Sequence, residues 1–483
     1  MNVFRRELSL TAVLTPKLAK LAILELIIPQ RIPIWSFVPS VKSVLHDSLL
    51  PTERPYSRYD KTTLPKVIQE VIRRVGRDVM TIPTGRSALA PLDCSSLTRR
   101  LANGHRPVPA PGSAESAAQN MCTDHMILAR WTCKAGWEAP LMKASEPLRI
   151  SPTASVLHYA IECFEGLKLY RGYDGSLRLF RPARNCERMR ISAARVTLPD
   201  FDPKQLENMI VALCAQDGTK WLPKEHAGKF LYVRPTLIST DPALGVRTPS
   251  EALLYVILAC FGDNTTIVPH SAAHTRTPDD LTGLRLKTSD IGSIRAWPGG
   301  FGYAKIGANY GPSLVAQQET QAAGYDQTLW LFGDQGSVTE AGGSNFFVVW
   351  KESNSGKLQL VTAPLQDGII LAGITRASIL ELARSRLASK QSDLGRLEVV
   401  ERYFTMRDNL QAAKEGRLLE AFVCGTAYFV TPVSVIEHRG TVLDLEQSCE
   451  HGRYTSRMRL WLADVMWGDD PYEEWVLKID DGM

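Results

Sequence analysis

The chain has 483 residues, 44% hydrophobic and 22% charged, the make-up of a folded globular protein longer than one ordinary domain and not of a disordered chain. Its 56 basic and 51 acidic residues leave a net charge of +5, and no long basic block stands out, which argues against nucleic acid as the main partner. Nine cysteines, an odd number without a CxxC pair or zinc-ligand spacing, argue against a disulfide framework and a structural metal, and for a reducing compartment, cytoplasmic or mitochondrial.

Near the start, the apolar run 21–28 is interrupted by Glu25 and closed by Pro29. It falls far short of the roughly 20 residues a membrane span needs, so no transmembrane helix and no membrane partner are expected. Arg5, Arg6, Lys17 and Lys20 among apolar residues loosely suit a mitochondrial transit peptide, although Glu7 spoils the acid-poor pattern; the other reading is an amphipathic helix with a charged face. Residues 64–79 read as an amphipathic helix ending near Gly76. Together residues 1–91 are expected to be an N-terminal extension.

From residue 126 the texture changes. "MILARW", "LRLF" (177–180), "FLYVRPTLIS" and "ALLYVILACF" predict strands, and "LENMIVALCAQ" (206–216) predicts a helix, so 92–264 reads as a small α+β domain with antiparallel strands. The polar, aperiodic stretch 262–280 is the best linker candidate, with the linker expected over 265–290. A larger domain over 291–483 follows, with helices at 313–324 and 375–388, strands at "QTLWLF", "NFFVVW", "AFVC" and "YFVT", and an aromatic-rich helical tail around "RMRLWLADVMW".

Four glycines between Gly299 and Gly307 surround Lys305, and Tyr310 follows five residues on. A lone lysine is most often a solvated surface group. In a glycine-rich loop it can be desolvated and attack an aldehyde, since burial or a neighbouring cation favours the neutral amine that an imine requires. Downstream, Glu340 stands at the start of a turn with two glycines, before a strand apolar enough to be buried. A carboxylate held there calls for a cationic partner; the bland reading is a capping or turn glutamate.

Two segments could bind a phosphate. "DGIILAGITR" (367–376) reads as an apolar strand turning through Gly373 into a helix near Thr375, aiming free N–H groups at an anion. "VCGTAYFV" (423–430) offers a small-residue turn with the hydroxyl of Thr426. In the first half, Arg188 sits in an arginine-rich helical stretch and could face a phosphate, while Tyr232 and Arg234 share a strand face where a guanidinium could clamp a carboxylate. A solvated basic face is the alternative for both.

These segments, together with "TDHM" (123–126), "FEGLKLYRG" (164–172), "LFRPARNCERM" (179–189), "RAWPGG" (295–300), "KIGANYG" (305–311), "VTEAGGSNFF" (338–347) and "ERYFTM" (401–406), resemble the branched-chain amino acid aminotransferases, fold-type IV enzymes dependent on pyridoxal phosphate. The resemblance spans residues 92–483 in order. It implies a small α+β domain and a larger pseudo-barrel domain with the cofactor in the cleft between them, in a homodimer that supplies a loop across the subunit boundary. It further implies that Lys305 is the Schiff-base lysine and acid/base, that Glu340 holds the pyridine nitrogen, and that Tyr310 contacts the phenolic oxygen. Arg188, Ile374, Thr375 and Thr426 would hold the phosphate, and Arg295 would be a cofactor-side arginine. Tyr159, Phe164, Tyr232, Arg234, Gly343 and Ala427 would line the substrate site. The implied reaction passes the amino group of a branched-chain amino acid to the cofactor and then to 2-oxoglutarate, giving glutamate.

Three positions depart from the family pattern. Cys122 stands where a phenylalanine is usual, Gly343 where a threonine is usual, and Val423 where a glycine is usual. A lost ring or a lost side chain would reshape the side-chain pocket, so a paralogue with an unusual branched or larger substrate is an expectation. Tyr428 and Thr431 replace the CxxC of some animal members. Other fold-type IV activities, on D-amino acids or an aminated chorismate, and a non-catalytic relative are the competing readings.

Overall fold

The computed structural model describes residues 89–110, 112–261, 283–387, 394–448, 452–470 and 472–480. The expected transit-like start and the helix at 64–79 lie outside them.

A ten-stranded sheet uses β1 (Thr98–Arg100), β2 (Cys122–Thr132), β3 (Gly136–Trp137), β4 (Leu141–Ala144), β5 (Glu162–Phe164), β6 (Leu167–Arg171), β7 (Leu177–Phe180), β8 (Phe230–Ser239) and β9 (Glu251–Ala259). Its order is β1-β4-β2-β9-β8-β6-β7, and the tenth strand, Val476–Ile479, joins at β7 from the far end of the chain. Helices α1 (Pro182–Arg195) and α2 (Pro203–Trp221) contribute Met189, Leu206, Met209, Ile210 and Leu213 to the core beneath it. Both start with proline in the first turn, where a missing N–H costs nothing.

The second sheet takes β10 (Leu284–Thr288), β11 (Gln327–Phe332), β12 (Ser337–Ala341), β13 (Ser344–Lys351), β14 (Leu358–Thr362), β15 (Leu397–Glu401), β16 (Leu418–Gly425), β17 (Phe429–His438) and β18 (Thr441–Asp444). Its order is β12-β11-β10-β17-β16-β13-β14-β15, and pairing of β12 back onto β13 closes a six-stranded ring. Closure demands side chains that fill both faces, and every residue of β13 except Lys351 is buried. Phe347 and Phe422 stack there with centroids 4.9 Å apart. Helices α3 (Leu314–Ala322), α4 (Ile374–Arg386), α5 (Met406–Lys414) and α6 (Arg453–Trp467) accompany this sheet.

Two expected boundaries are corrected. β10 falls inside the stretch 265–290 read as a linker, where it pairs in parallel with both β11 and β17; "LRLKT" was hidden by the polar run before it. The final strand, Val476–Ile479, which is β19, belongs to the first sheet although it lies within 291–483. Trp475 beside it stacks under the Arg181 guanidinium at 3.9 Å, and Tyr170 and Phe180 of the first sheet share a core cluster with α4 and α6. Residues 89–483 accordingly form one compact unit. Residues 369–373 are irregular, not the strand expected before α4, and Glu340 lies on β12, shortly before the hairpin turn at Gly342 and Gly343.

Candidate active site

Both peptide groups of Lys305 are tied down. Its N–H donates to Ser192 Oγ of α1 (2.8 Å), and its carbonyl accepts from the Phe164 N–H of β5 (3.1 Å). A glycine-rich loop thereby acquires a fixed conformation, because each buried peptide group has a partner. Gly302 permits the loop's approach: a Cβ there would collide with the Ile369 carbonyl. Lys305 Nζ donates to Tyr310 Oη (3.1 Å) and lies 4.8 Å from the centre of the Phe164 ring.

Lys305 opens into a cavity of about 500 Å³ that Glu340 also lines. Glu340 Oε1 accepts from the Leu371 N–H (3.2 Å) and from Asn345 Nδ2 (3.1 Å). Its Oε2 is different: Arg295 Nη1 stands 2.7 Å away, close enough for an ion pair, yet the oxygen accepts no hydrogen bond. Burial pushes this carboxyl above its ordinary value, opposed by Arg295, the Leu371 N–H, Lys305 and Arg376. A buried carboxylate oxygen with an unused lone pair is a receptor for a protonated nitrogen.

On the same cavity, Gly373, Ile374 and Thr375 form the start of α4. The helix has no side-chain cap and no acidic residue in its first turn, so its leading N–H groups are available to an anion. Thr426 reaches the cavity from the β16 to β17 turn and donates to the Gly166 carbonyl (3.2 Å). Arg188 arrives from α1. Its Nε and Nη2 bind the two oxygens of Glu165 at 2.6 and 2.8 Å, and Nη1 binds the Ala372 carbonyl at 3.0 Å. Burial alone would raise the Glu165 carboxyl, but Arg188 and Asn185 hold it below the usual range.

The remaining wall carries Phe164, Tyr232, Arg234, Gly343 and Ala427. Arg234 Nη2 donates to Tyr232 Oη (3.0 Å), and its guanidinium lies over the Phe164 and Tyr232 rings at 4.7 and 5.0 Å.

Thirteen of the fourteen expected residues are thus brought to the cavity or directly behind it, Arg295 being the one behind, against Glu340. Tyr159 is the exception. It is 37% exposed, ends the short helical turn Ser155–Tyr159 and contacts the Leu244 carbonyl. Ala160, left-handed at φ 48 and ψ 39, redirects the chain so that Glu162 and Phe164 take the wall instead. Of the three departures, Gly343 lines the cavity while Cys122 and Val423 do not; Val423 is buried in the barrel-side core.

Four residues escaped the sequence reading: Glu162, Glu165, Asn185 and Asn345. Glu165 carried a usable signal, an acid between Phe164 and an apolar strand, which requires a cation. Among the described residues no group of three or more His, Cys, Asp or Glu could hold a metal ion, and every cysteine is a free thiol.

The family described as amino-transferase class IV matches residues 162–436. The cytosolic branched-chain-amino-acid aminotransferase of Saccharomyces cerevisiae is 41% identical over 401 residues, 81% of this chain and 99% of that protein. The mitochondrial one of Schizosaccharomyces pombe is 41% identical over 355 residues, 73% of this chain and 78% of its own. Among solved structures, a T.th. branched-chain amino acid aminotransferase complexed with N-(5'-phosphopyridoxyl)-L-glutamate superposes with a TM-score of 0.52 at 27% identity, covering 73% of this chain and 98% of that chain.

Proposed function

We propose, from the premise that this chain belongs to the class IV aminotransferases and within them to the branched-chain aminotransferases, that it moves the amino group of a branched-chain L-amino acid to 2-oxoglutarate with pyridoxal phosphate as cofactor. One observation carries the reading: an amine, Lys305, and a buried carboxylate oxygen without a hydrogen bond, Glu340 Oε2, line one cavity with an uncapped helix start.

The residues present fit the cofactor. Lys305 Nζ is the amine that would hold its aldehyde covalently, Glu340 Oε2 would accept from its ring N–H, and the N–H groups of Ile374 and Thr375 with Thr426 and Arg188 would hold its phosphate. That the solved relative binds a phosphopyridoxyl compound supports the choice of cofactor. When bound, the cofactor supplies an electron sink for the carbanion formed at the substrate α-carbon. The protein's part is positional and protic. Lys305 Nζ moves the proton at the α-carbon, Tyr310 Oη steadies that amine through its 3.1 Å hydrogen bond, and Arg295 favours the anionic form of Glu340 against its burial. Phe164 and Tyr232 give apolar surface to a branched side chain, and Arg234 gives an anion receptor to a dicarboxylate.

A homodimer belongs to this reading. It is supported by exposed apolar side chains around Tyr159, namely Leu157 (59%), Leu244 (57%) and Val246 (82%). The named relatives include cytosolic and mitochondrial enzymes, and among the described residues no helix is long and apolar enough to cross a membrane; either compartment suits the chain. The purified protein is expected to show cofactor absorbance that L-leucine bleaches and 2-oxoglutarate restores, with glutamate formed. Absorbance unmoved by L-leucine, L-isoleucine and L-valine would sink the proposal.

A further inference from the structure

Three carboxylates surround the Lys305 cavity, and two have partners. Glu165 is held by Arg188 and Asn185, and Glu340 by Arg295, Leu371 and Asn345. The Glu162 carboxylate has neither a hydrogen bond nor an ion pair among the described residues, although it lines the cavity. It projects from the same face of β5 as Phe164, while Cys163 between them is fully buried on the other face. Gly307, two residues after Lys305, makes room for it: a Cβ at that position would collide with the Glu162 carboxylate. Such a placement is costly for an acid unless an opposite charge is near.

Arg234 lines the same cavity. Its field acts on Glu162, opposing the burial that raises that carboxyl. Arg234 is itself short of partners: Nε is buried without a hydrogen bond, and Nη2 reaches only the phenol of Tyr232. The two charges share one cavity and form no direct ion pair, so a ligand decides how strongly each feels the other.

We propose that Glu162 is a specificity-determining counter-charge to Arg234, which lets one cavity accept an apolar side chain and a carboxylate in turn. With an apolar side chain bound, water is displaced and Glu162 is the anion that keeps Arg234 from being an uncompensated cation. With a dicarboxylate bound, the ligand's distal carboxylate takes the guanidinium, and Glu162 becomes a like charge beside it. Glu162 therefore tilts the cavity toward apolar ligands and weakens its hold on the dicarboxylate. This rests on the transaminase reading above.

The test uses cofactor-loaded protein and two unreactive ligands, glutarate and 4-methylpentanoate, with dissociation constants from calorimetry and KM values for 2-oxoglutarate and 4-methyl-2-oxopentanoate alongside. Two neutral variants, Glu162→Gln and Glu162→Ser, should bind glutarate tighter and 4-methylpentanoate more weakly, moving the ratio of the two constants roughly three- to ten-fold, as expected for a partly screened charge pair. Glu162→Asp, which keeps the charge, should keep the wild-type ratio. A ratio unchanged in the neutral variants, both ligands shifting in the same direction, or Asp behaving like Gln would each overturn the proposal. Wild-type protein that shows no amino transfer would instead overturn the functional reading, while the binding ratio remains measurable.

Discussion

Arg295 Nη1 lies 2.7 Å from Glu340 Oε2, and the two side chains are 9% and 2% exposed. This pair sets the charge behind the Lys305 cavity, because burial works against the ionised carboxyl and the guanidinium works for it. Replacing Arg295 by Met would strand Glu340 as a buried acid without its closest cation. The carboxyl is already raised above its ordinary value of 4.5. A raised acid contributes stability at low pH, where it is protonated in both states, and that stability is lost as pH rises through the folded value. Arg295→Met should therefore lose little stability near pH 4, below the ordinary carboxyl value, and about 3–5 kcal/mol near pH 8, the scale of a broken buried pair. Denaturant melts at the two pH values check this; equal losses would contradict it.

Lys305→Ala should leave the fold intact, since the loop is held by the peptide groups of residue 305 and not by its side chain. Transamination should fall by roughly 10²-fold or more, the usual contribution of a positioned acid/base, and the absorbance of covalently held cofactor should vanish. Circular dichroism and a visible spectrum separate these effects. Retention of that absorbance would move the covalent role to another lysine.

Gly343 lines the cavity, and a Cβ added there meets nothing within 4 Å. Gly343→Thr should fold normally and occupy space now open to the substrate side chain. The KM for leucine or a larger analogue should rise roughly ten-fold, as expected for a few displaced methylenes, while that for valine changes less. A uniform change across the substrate series would show that residue 343 does not border the side-chain pocket.

Lys168 on β6 is 4% exposed, has no carboxylate partner among the described residues and packs over the Phe230 ring at 3.8 Å. Burial, helped by Arg459, lowers its amine from 10.5 to about 7. Between those values the unfolded chain holds a proton that the folded chain lacks, so this group's contribution to stability is present above the unfolded value and is lost as pH falls toward the folded one. Lys168→Met should raise Tm near pH 7 and bring little gain near pH 10. Thermal melts across that range test it, and a gain independent of pH would assign the effect to packing.

Much of the site was legible in the chain itself, and for local reasons. Glycines around Lys305 signal backbone freedom, the paired glycines after Glu340 signal a hairpin, and alternation in "FLYVRPTLIS" puts Tyr232 and Arg234 on one face. Each depends on residues within a few positions of one another. The strand at 177–180 and that at 230–239 were readable with the bounds found in the structure, because their apolar content matches their burial.

Tertiary structure alone decided the rest. A strand such as Leu284–Thr288 is stable only between β11 and β17, and Val476–Ile479 only against β7, which lies far earlier in the chain. Tyr159 leaves the cavity because one left-handed residue, Ala160, turns the chain. Glu162 enters it because Gly307, distant in sequence, yields the space. That Lys305 and Glu340, which line one cavity, are the residues to propose as the chemical pair was thus legible in the sequence. Which charges stand opposite them, and which are left without a partner, follows from long-range packing that no local pattern encodes.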